Sequence, residues 1–578
     1  MAFELVAASR AEDAKTTPWR HVIRTGLALG GVNLFMAVVG ILLAFQSRAI
    51  IVDTLPLGYA TLGLTLFAAG LLVSRRGLFG HRDPTLVGGV AAGLLTAAVP
   101  ALLAALMSLV DLRSVFVALN PPLLAMLTFG QQPALLGIAC LLVLGAALGG
   151  AGALFPLLGD RIRRPLAGGL IAVGLAGMLQ ELIRPILANS RVTKPVHDLL
   201  YTWSGLTLRG AVIIFLAVAL AVLLWDLNRR RIETAVGHLK PQTQRRIRWS
   251  YMGTAALLVA LFPLFAGNFI GQVLLIVGLF TLMGMGLNIE VGLAGLLDLG
   301  FVAFYAVGAY TTALLMADSP YALAQLSFWQ AMPIAVLVSL IVGVIFGIPV
   351  LKIRGDYLAV ATLALGEIVR VIVLSDAAAP LLAGSSGILQ IPRPEIGGLV
   401  LSTPVSLFYL TLAASLVAAY VAWRLGGSRL GRAWMAIRDD EDVAEALGIN
   451  LIQVKLLAYG IGAAFAGLAG SIFAVMLGSI YPHSFQLIIS INILALIIVG
   501  GLGSLPGVAV GAAVLIGLPE MLREFGEFRY LFYGLAIIAV MRLKPAGLWP
   551  SAAKLRELET DAEDVAVHQR APVAERSS

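Results

Sequence analysis

Apolar residues in this chain come in blocks of about twenty rather than alternating with polar ones, from Thr25 to about Arg542. Stretches such as 255–267, 272–287 and 404–423 hold no charge at all. A helix needs about 20 apolar residues to cross the hydrocarbon layer of a bilayer, so each block predicts a membrane span. Windows of that length fall at 25–45, 56–74, 85–110, 134–158, 165–187 and 205–227 in an N-terminal group. A second group falls at 250–267, 271–289, 297–316, 330–351, 356–375, 404–425, 454–477, 485–502, 505–522 and 530–543. The expected fold is all-α, a polytopic transmembrane helix bundle of about 16 spans, 6 N-terminal and 10 in a core. Leu119–Gly130 is apolar but broken by two prolines, and reads as an outside or re-entrant half-helix. Glycine-rich breaks at Glu290–Gly295 and Gly500–Gly507 interrupt helical patterns. Broken helices line the path in many transporters, although ordinary loop turns are the favoured reading of Gly500–Gly507.

Basic clusters test the span assignment, because short cytoplasmic loops are rich in Lys and Arg. Arg75/Arg76/Arg82, Arg161/Arg163/Arg164 and Arg229/Arg230/Arg231 follow spans two, four and six. Starting inside therefore puts all three inside. Lys352/Arg354, Arg424/Arg429/Arg432 and Arg542/Lys544 fall on the same side. The expected organisation is a cytoplasmic tail over 1–24, a membrane block over 25–228 and a basic linker over 229–249. A transmembrane core over 250–550, containing a cytoplasmic loop at 426–453, is followed by a cytoplasmic tail over 551–578 whose polar composition predicts disorder. The outside loop 375–403 contains Gly384-Ser-Ser-Gly387 and three prolines, a turn-rich surface suited to a partner.

Composition sharpens this picture. Charged residues make up 12% of the chain against about a quarter in soluble domains, and the 62 glycines suit close helix packing in membranes. The net charge of +8 sits in clusters beside the spans, which argues against a nucleic-acid surface. A single cysteine, Cys140, excludes a disulfide framework and a cysteine metal site. The first 24 residues are polar and carry no cleavable signal core. Phosphate-loop, His-Glu-x-x-His and Cys-x-x-Cys motifs are absent, and the six histidines are scattered. The expectation is a transport protein with no catalytic residues, cofactor or metal of its own, driven by a partner or an ion gradient.

The most informative stretch is Gly431–Asn450. Its four consecutive acids, Asp439 to Asp442, suit the first turn of a helix, where free amides favour negative charge. Gly448 suits the stop. The pattern predicts a short cytoplasmic helix on which Ala444 and Gly448 share a face. The acid-x-Ala-x-x-x-Gly pattern Asp442-Val-Ala444-Glu445-Ala-Leu-Gly448 resembles the coupling motif of ABC importer permeases. Gly286–Tyr310, Leu351–Arg370, Gly460–Ala474, Gly500–Ser504 and Pro519–Arg523 extend the likeness, in order, to the LivM-type permease of branched-chain amino acid ABC importers. It runs from about Tyr251 to Pro550 and leaves the first ~245 residues uncovered.

The resemblance implies ATPase-coupling residues Asp442, Ala444, Glu445 and Gly448. It also implies a companion permease of the LivH type, two ABC ATPase subunits that bind ATP, and a periplasmic or lipid-anchored binding protein carrying most of the selectivity. The membrane would be a bacterial or archaeal cytoplasmic membrane. Polar and aromatic residues inside the resembling region are substrate-path candidates. Asp298 either lines the path, bonds the opened backbone of a broken helix, or is an interfacial residue near a helix start. Glu367 and Arg370, three apart, form either a structural intramembrane ion pair or a substrate contact. Tyr305 stands with Phe301, Phe304 and Tyr310 in an aromatic run that reads as packing or as an apolar passage. Import of urea or a short-chain amide by a sister permease is the nearest alternative. A gradient-driven secondary transporter is a second, and a sensor or scaffold role for the N-terminal block a third.

Overall fold

In this computed structural model the apolar blocks are helices, and three two-stranded hairpins are the paired strands among the described residues. Residues 18–551 are described apart from 76–81, 190–192, 238–240, 351, 352 and 354. The C-terminal tail over 552–578, most of the N-terminal tail, and the cluster members Arg76, Lys352 and Arg354 lie outside the described residues. The chain divides into two compact units, Met1–Leu257 and Leu258–Ser578.

The first unit contains α1 (Pro18–Val38), α2 (Leu57–Arg75), α3 (Arg82–Leu109), α4 (Pro121–Leu127), α5 (Ala134–Leu154), α6 (Asp160–Met178), α7 (Gln180–Asn189) and α8 (Leu208–Gly237). The two-proline segment is the seven-residue α4, whose first turn is capped by the Asn120 side chain accepting from Leu123 N. Helices α3 and α5 touch through Gly89, Gly93, Gly145 and Gly149, where the Cβ of any larger residue at Gly93 would lie 2.1 Å from Gly145 O. These small-xxx-small spacings, visible in the sequence, let backbones meet where lipid gives no hydrophobic drive to associate. α6 and α7 bend by 80° at Leu179. Hairpins β1–β2 (Ala49–Ile51, Leu55–Pro56) and β3–β4 (Tyr201–Thr202, Gly205–Leu206) close the helix connections and join through Val52 N donating to Leu206 O at 2.9 Å.

The second unit takes in the later part of α9 (Pro241–Leu287), then α10 (Val302–Met316), α11 (Phe328–Val350), α12 (Asp356–Leu374), α13 (Pro404–Gly426), α14 (Arg429–Asp439), α15 (Glu441–Ala446), α16 (Leu451–Leu477), α17 (Leu487–Gly500), α18 (Leu505–Ala512) and α19 (Phe528–Leu543). Its core is built around α10 and α16, where the missing side chain of Gly308 lets the Gly467 backbone in, at 2.3 Å from where a Cβ would stand. Loop 375–403 carries the hairpin β5–β6 (Glu395–Ile396, Leu399–Val400) and pairs Ile388 with Ile480.

Eleven described helices are long and apolar enough to cross a membrane, or up to twelve if the bent α6–α7 pair is one span. The expectation of about 16 counted more, for reasons visible in the backbone. Windows 250–267 and 271–289 fall on two helical stretches of α9 that meet at Gly267, whose φ of 85° and ψ of 179° leave the helical region; the apolar stretch Leu261–Leu293 across that break counts as one of the eleven. Helix α10 has 15 residues and α19 has 16, so at 1.5 Å per residue each falls several ångströms short of a ~30 Å hydrocarbon layer. The segment Leu505–Met521 is a further short apolar helix with a π-turn inside it.

Candidate functional site

Two adjoining features of the second unit carry the polar residues that the sequence singles out. The first is the break between α9 and α10. Helix α9 widens into a π-turn over Asn288–Leu293, turns at Gly295 (φ 72°), and resumes as α10 only at Val302. Opened backbone at membrane depth needs partners, since lipid offers none. Leu299 N donates to Thr362 Oγ1 of α12 at 3.0 Å, Val302 N to Ser490 Oγ of α17 at 3.0 Å, and Gly503 N to the Asn288 side chain at 2.9 Å. Asp298 Oδ1 accepts from Gly300 N at 2.7 Å, so this carboxyl, only 1% exposed, bonds the opened backbone of the broken helix. Glu290, 0% exposed, is buried near Asp298, and both of its carboxyl oxygens, like Asp298 Oδ2, lack a hydrogen-bond partner. Hydropathy windows do not flag Glu290, because one acid in a long apolar block barely changes the average.

The second feature is the loop between α13 and α16. The Ser428 side chain accepts from Gly431 N and starts α14, an amphipathic helix that buries Gly431, Trp434 and Ile437. Trp434, fully buried, donates its indole N–H to Val454 O at 2.8 Å. Arg438 donates to Gly292 O at 2.9 Å, which ties the loop to the π-turn of the broken span. The four acids divide between two helices. Asp439 ends α14, while Asp440 caps α15 by accepting from Asp442 N at 2.9 Å and Val443 N at 3.0 Å. Lys455 Nζ donates to Glu441 Oε1 at 2.6 Å. Gly448, with φ +86°, ends the turn in the left-handed region.

Helix α15 is six residues long, the short helix expected. Ala444 is buried at 1% beneath it, so the outward side is formed by Asp442, Val443, Glu445 and Leu447, with Gly448 at its end. Val443 and Leu447 are 54% and 76% exposed.

Tyr305, 3% exposed, packs its ring on Phe473 and Phe485 with centroids 5.1 and 5.5 Å away. Glu367 and Arg370 pair as expected, Arg370 Nε donating to both Glu367 oxygens at 3.0 Å, but they stand on the exposed side of α12. An exposed ion pair returns about 0–1 kcal/mol, whereas each charge at the centre of a span costs ~2.5–3.5 kcal/mol on insertion scales. Contact with each other does not offset that cost. The three-residue spacing predicts the pairing; which side of α12 the pair occupies depends on long-range packing.

A protein-family profile described as branched-chain amino acid transport system, permease component, matches residues 269–541. The chain is 39% identical over 295 residues to the high-affinity branched-chain amino acid transport system permease protein LivM of Salmonella typhimurium, covering 47% of this chain and 68% of that one. It is 38% identical over 307 residues to LivM of Escherichia coli, covering 49% and 71%. Over 124 residues it is 32% identical to the permease protein LivH of E. coli, covering 21% and 40%. No solved structure matches the chain. With its many apolar helices, the protein is a multi-pass membrane protein, and the chain belongs to the family of branched-chain amino acid transport permeases.

Proposed function

We propose that this chain is the transmembrane subunit of an ATP-binding cassette importer that moves leucine, isoleucine and valine into the cell. A separate ATPase subunit, the binder of ATP, powers it by docking on α15. The observation that carries this reading is the loop itself. It is a short helix with two exposed apolar residues, braced from beneath by Trp434 and Lys455 and linked through Arg438 to the broken span. A push on α15 is transmitted mechanically, because the elements beneath it are packed and hydrogen-bonded rather than loose.

Asp442, Ala444, Glu445 and Gly448 divide the coupling work: Asp442 and Glu445 face the ATPase, Ala444 seats the helix, and Gly448 ends it. Among the path candidates, Asp298 and Tyr305 are buried inside the subunit, while Glu367 and Arg370 are exposed and are read as facing a passage shared with a second permease. The likeness to LivM and LivH supports a companion of the LivH type, and an importer of this class would also use a second ATPase copy and a substrate-delivering binding protein outside. The basic clusters support a cytoplasmic position for the α13–α16 loop and for both termini. The short helices α10, Leu505–Met521 and α19 complete a core of about ten membrane segments.

The test is leucine uptake by membrane vesicles carrying the whole transporter, with proton and sodium gradients collapsed and ATP retained. Uptake that persists supports the reading, and uptake that stops makes the protein a gradient-driven carrier.

A further inference from the structure

Where the break after α9 packs on α16, four buried polar atoms stand without a hydrogen-bond partner. They are both carboxyl oxygens of Glu290, Asp298 Oδ2 and the Tyr459 hydroxyl, on residues 0%, 1% and 2% exposed. Tyr459 and Gly462, three apart on α16, share the face turned to the break. A Cβ at Gly462 would overlap Glu290 Oε1, and the Tyr459 hydroxyl feels the charge of both acids. Glu290 and Asp298 are the buried acids among the described residues. The cations on the neighbouring elements are engaged elsewhere, Arg438 of α14 with Gly292 O and Lys455 of α16 with Glu441. Thr362 of α12 and Phe301 bring no charge to the site. Two like charges do not both persist in a dry site, and three acceptors facing a single hydroxyl donor leave acceptors unsatisfied.

We propose that Glu290, Asp298 and Tyr459 form a proton-binding site, with one proton carried on Glu290, and that this proton fastens the broken span to α16. Hydrogen-bond accounting selects it. A protonated Glu290 donating to Asp298 Oδ2, with the Tyr459 hydroxyl donating to the other Glu290 oxygen, satisfies all four atoms at once. Asp298 keeps the negative charge, since its Oδ1 already accepts from Gly300 N at 2.7 Å. A hard metal ion needs a shell of several oxygens, and the packing of Glu290 against Gly462 leaves no room for one on that side. Arg438 binds Gly292 O, two residues from Glu290, and Lys455 stands one turn before Tyr459. The proton therefore sits where both braces of the α13–α16 loop reach the broken span. Its presence does not depend on what the protein transports.

Infrared spectroscopy of the purified full-length chain in detergent tests this, because a protonated carboxyl shows a carbonyl stretch that a carboxylate lacks. At mildly alkaline pH exposed carboxylates are ionised and do not contribute. Wild type should show the acid band at the strength of a single group per chain, moved to lower frequency in heavy water and unchanged by added sodium. Glu290→Gln, which keeps the size and a donor, should abolish the band, whereas Asp298→Asn should keep it. Tyr459→Phe should raise its frequency without abolishing it, because the acid carbonyl loses the hydroxyl that donates to it. That last comparison still decides the matter if Glu290→Gln does not fold. No acid band in wild type, a band at full strength in Glu290→Gln, a band removed by sodium, or one that Tyr459→Phe leaves unmoved would each overturn the proposal.

Discussion

Replacing Gly448 by valine tests whether the way α15 ends governs coupling. The Gly448 N–H donates to Glu445 O at 2.9 Å, and Ile449 N donates to Ala444 O at 3.1 Å, so the helix closes on itself through a residue at φ +86°. A Cβ built there meets no atom within 4 Å, so steric contact contributes nothing and the substitution acts through the backbone alone. An L-residue in this region costs about 1–2 kcal/mol, with β-branched side chains at the upper end and asparagine least affected. A cost of that size lowers the ratio of correctly closed to open helix about 5–30-fold. The assay measures leucine moved per ATP by the reconstituted complex, with the melting temperature of the purified protein as a check on the spans. Coupling should fall in the order glycine, asparagine, alanine, valine, while the melting temperature stays near wild type. Wild-type transport in Gly448→Val, or equal loss in the asparagine and valine variants, would refute the reasoning.

Trp434→Ala removes a fully buried indole and its bond to Val454 O, and should destabilise the second unit by about 3–5 kcal/mol, read as a lower melting temperature of the purified protein. Asp298→Ala leaves the buried Gly300 N–H unsatisfied, at about 1–3 kcal/mol, whereas Asp298→Asn keeps an acceptor; transport should fall further in the alanine variant. Gly93→Val drives a side chain into the Gly145 backbone and should lower the folded yield in membranes. Gly534→Val, with nothing within 4 Å of its Cβ, should not change that yield. Deleting residues 1–240 should leave ATP-dependent uptake within a few-fold of wild type, measured at matched membrane content, because the first unit has its own packed interior.

Much of this was legible before any coordinates. Long uncharged blocks reveal membrane helices because the bilayer imposes their length, and the Gly89/Gly93 and Gly145/Gly149 spacings announce a close helix pair. The Glu367–Arg370 pairing follows from a three-residue offset on one helix. The break at Glu290–Gly295 shows in the sequence as a glycine-rich interruption, but what holds it open does not: its π-turn is followed by loop backbone bonded to Thr362 and Ser490, which lie 63 and 188 residues away from the atoms they bind. Helix α15 is too short for periodicity to identify its buried side, and it is the burial of Ala444 against the rest of the unit that does so. The contact of Arg438 with Gly292 O bridges 146 residues and has no sequence signature.

The central claim is that an ATPase sits on the outward side of α15, and cross-linking tests it most directly. Cys140 is the chain's single cysteine, so Cys140→Ser provides a background in which Val443→Cys or Leu447→Cys is the lone thiol. In membranes holding the complete transporter, a short bifunctional reagent at either position should capture the ATPase subunit, and ATP should change the yield. Absence of an ATPase adduct at both positions, in complexes that still transport, would contradict the account.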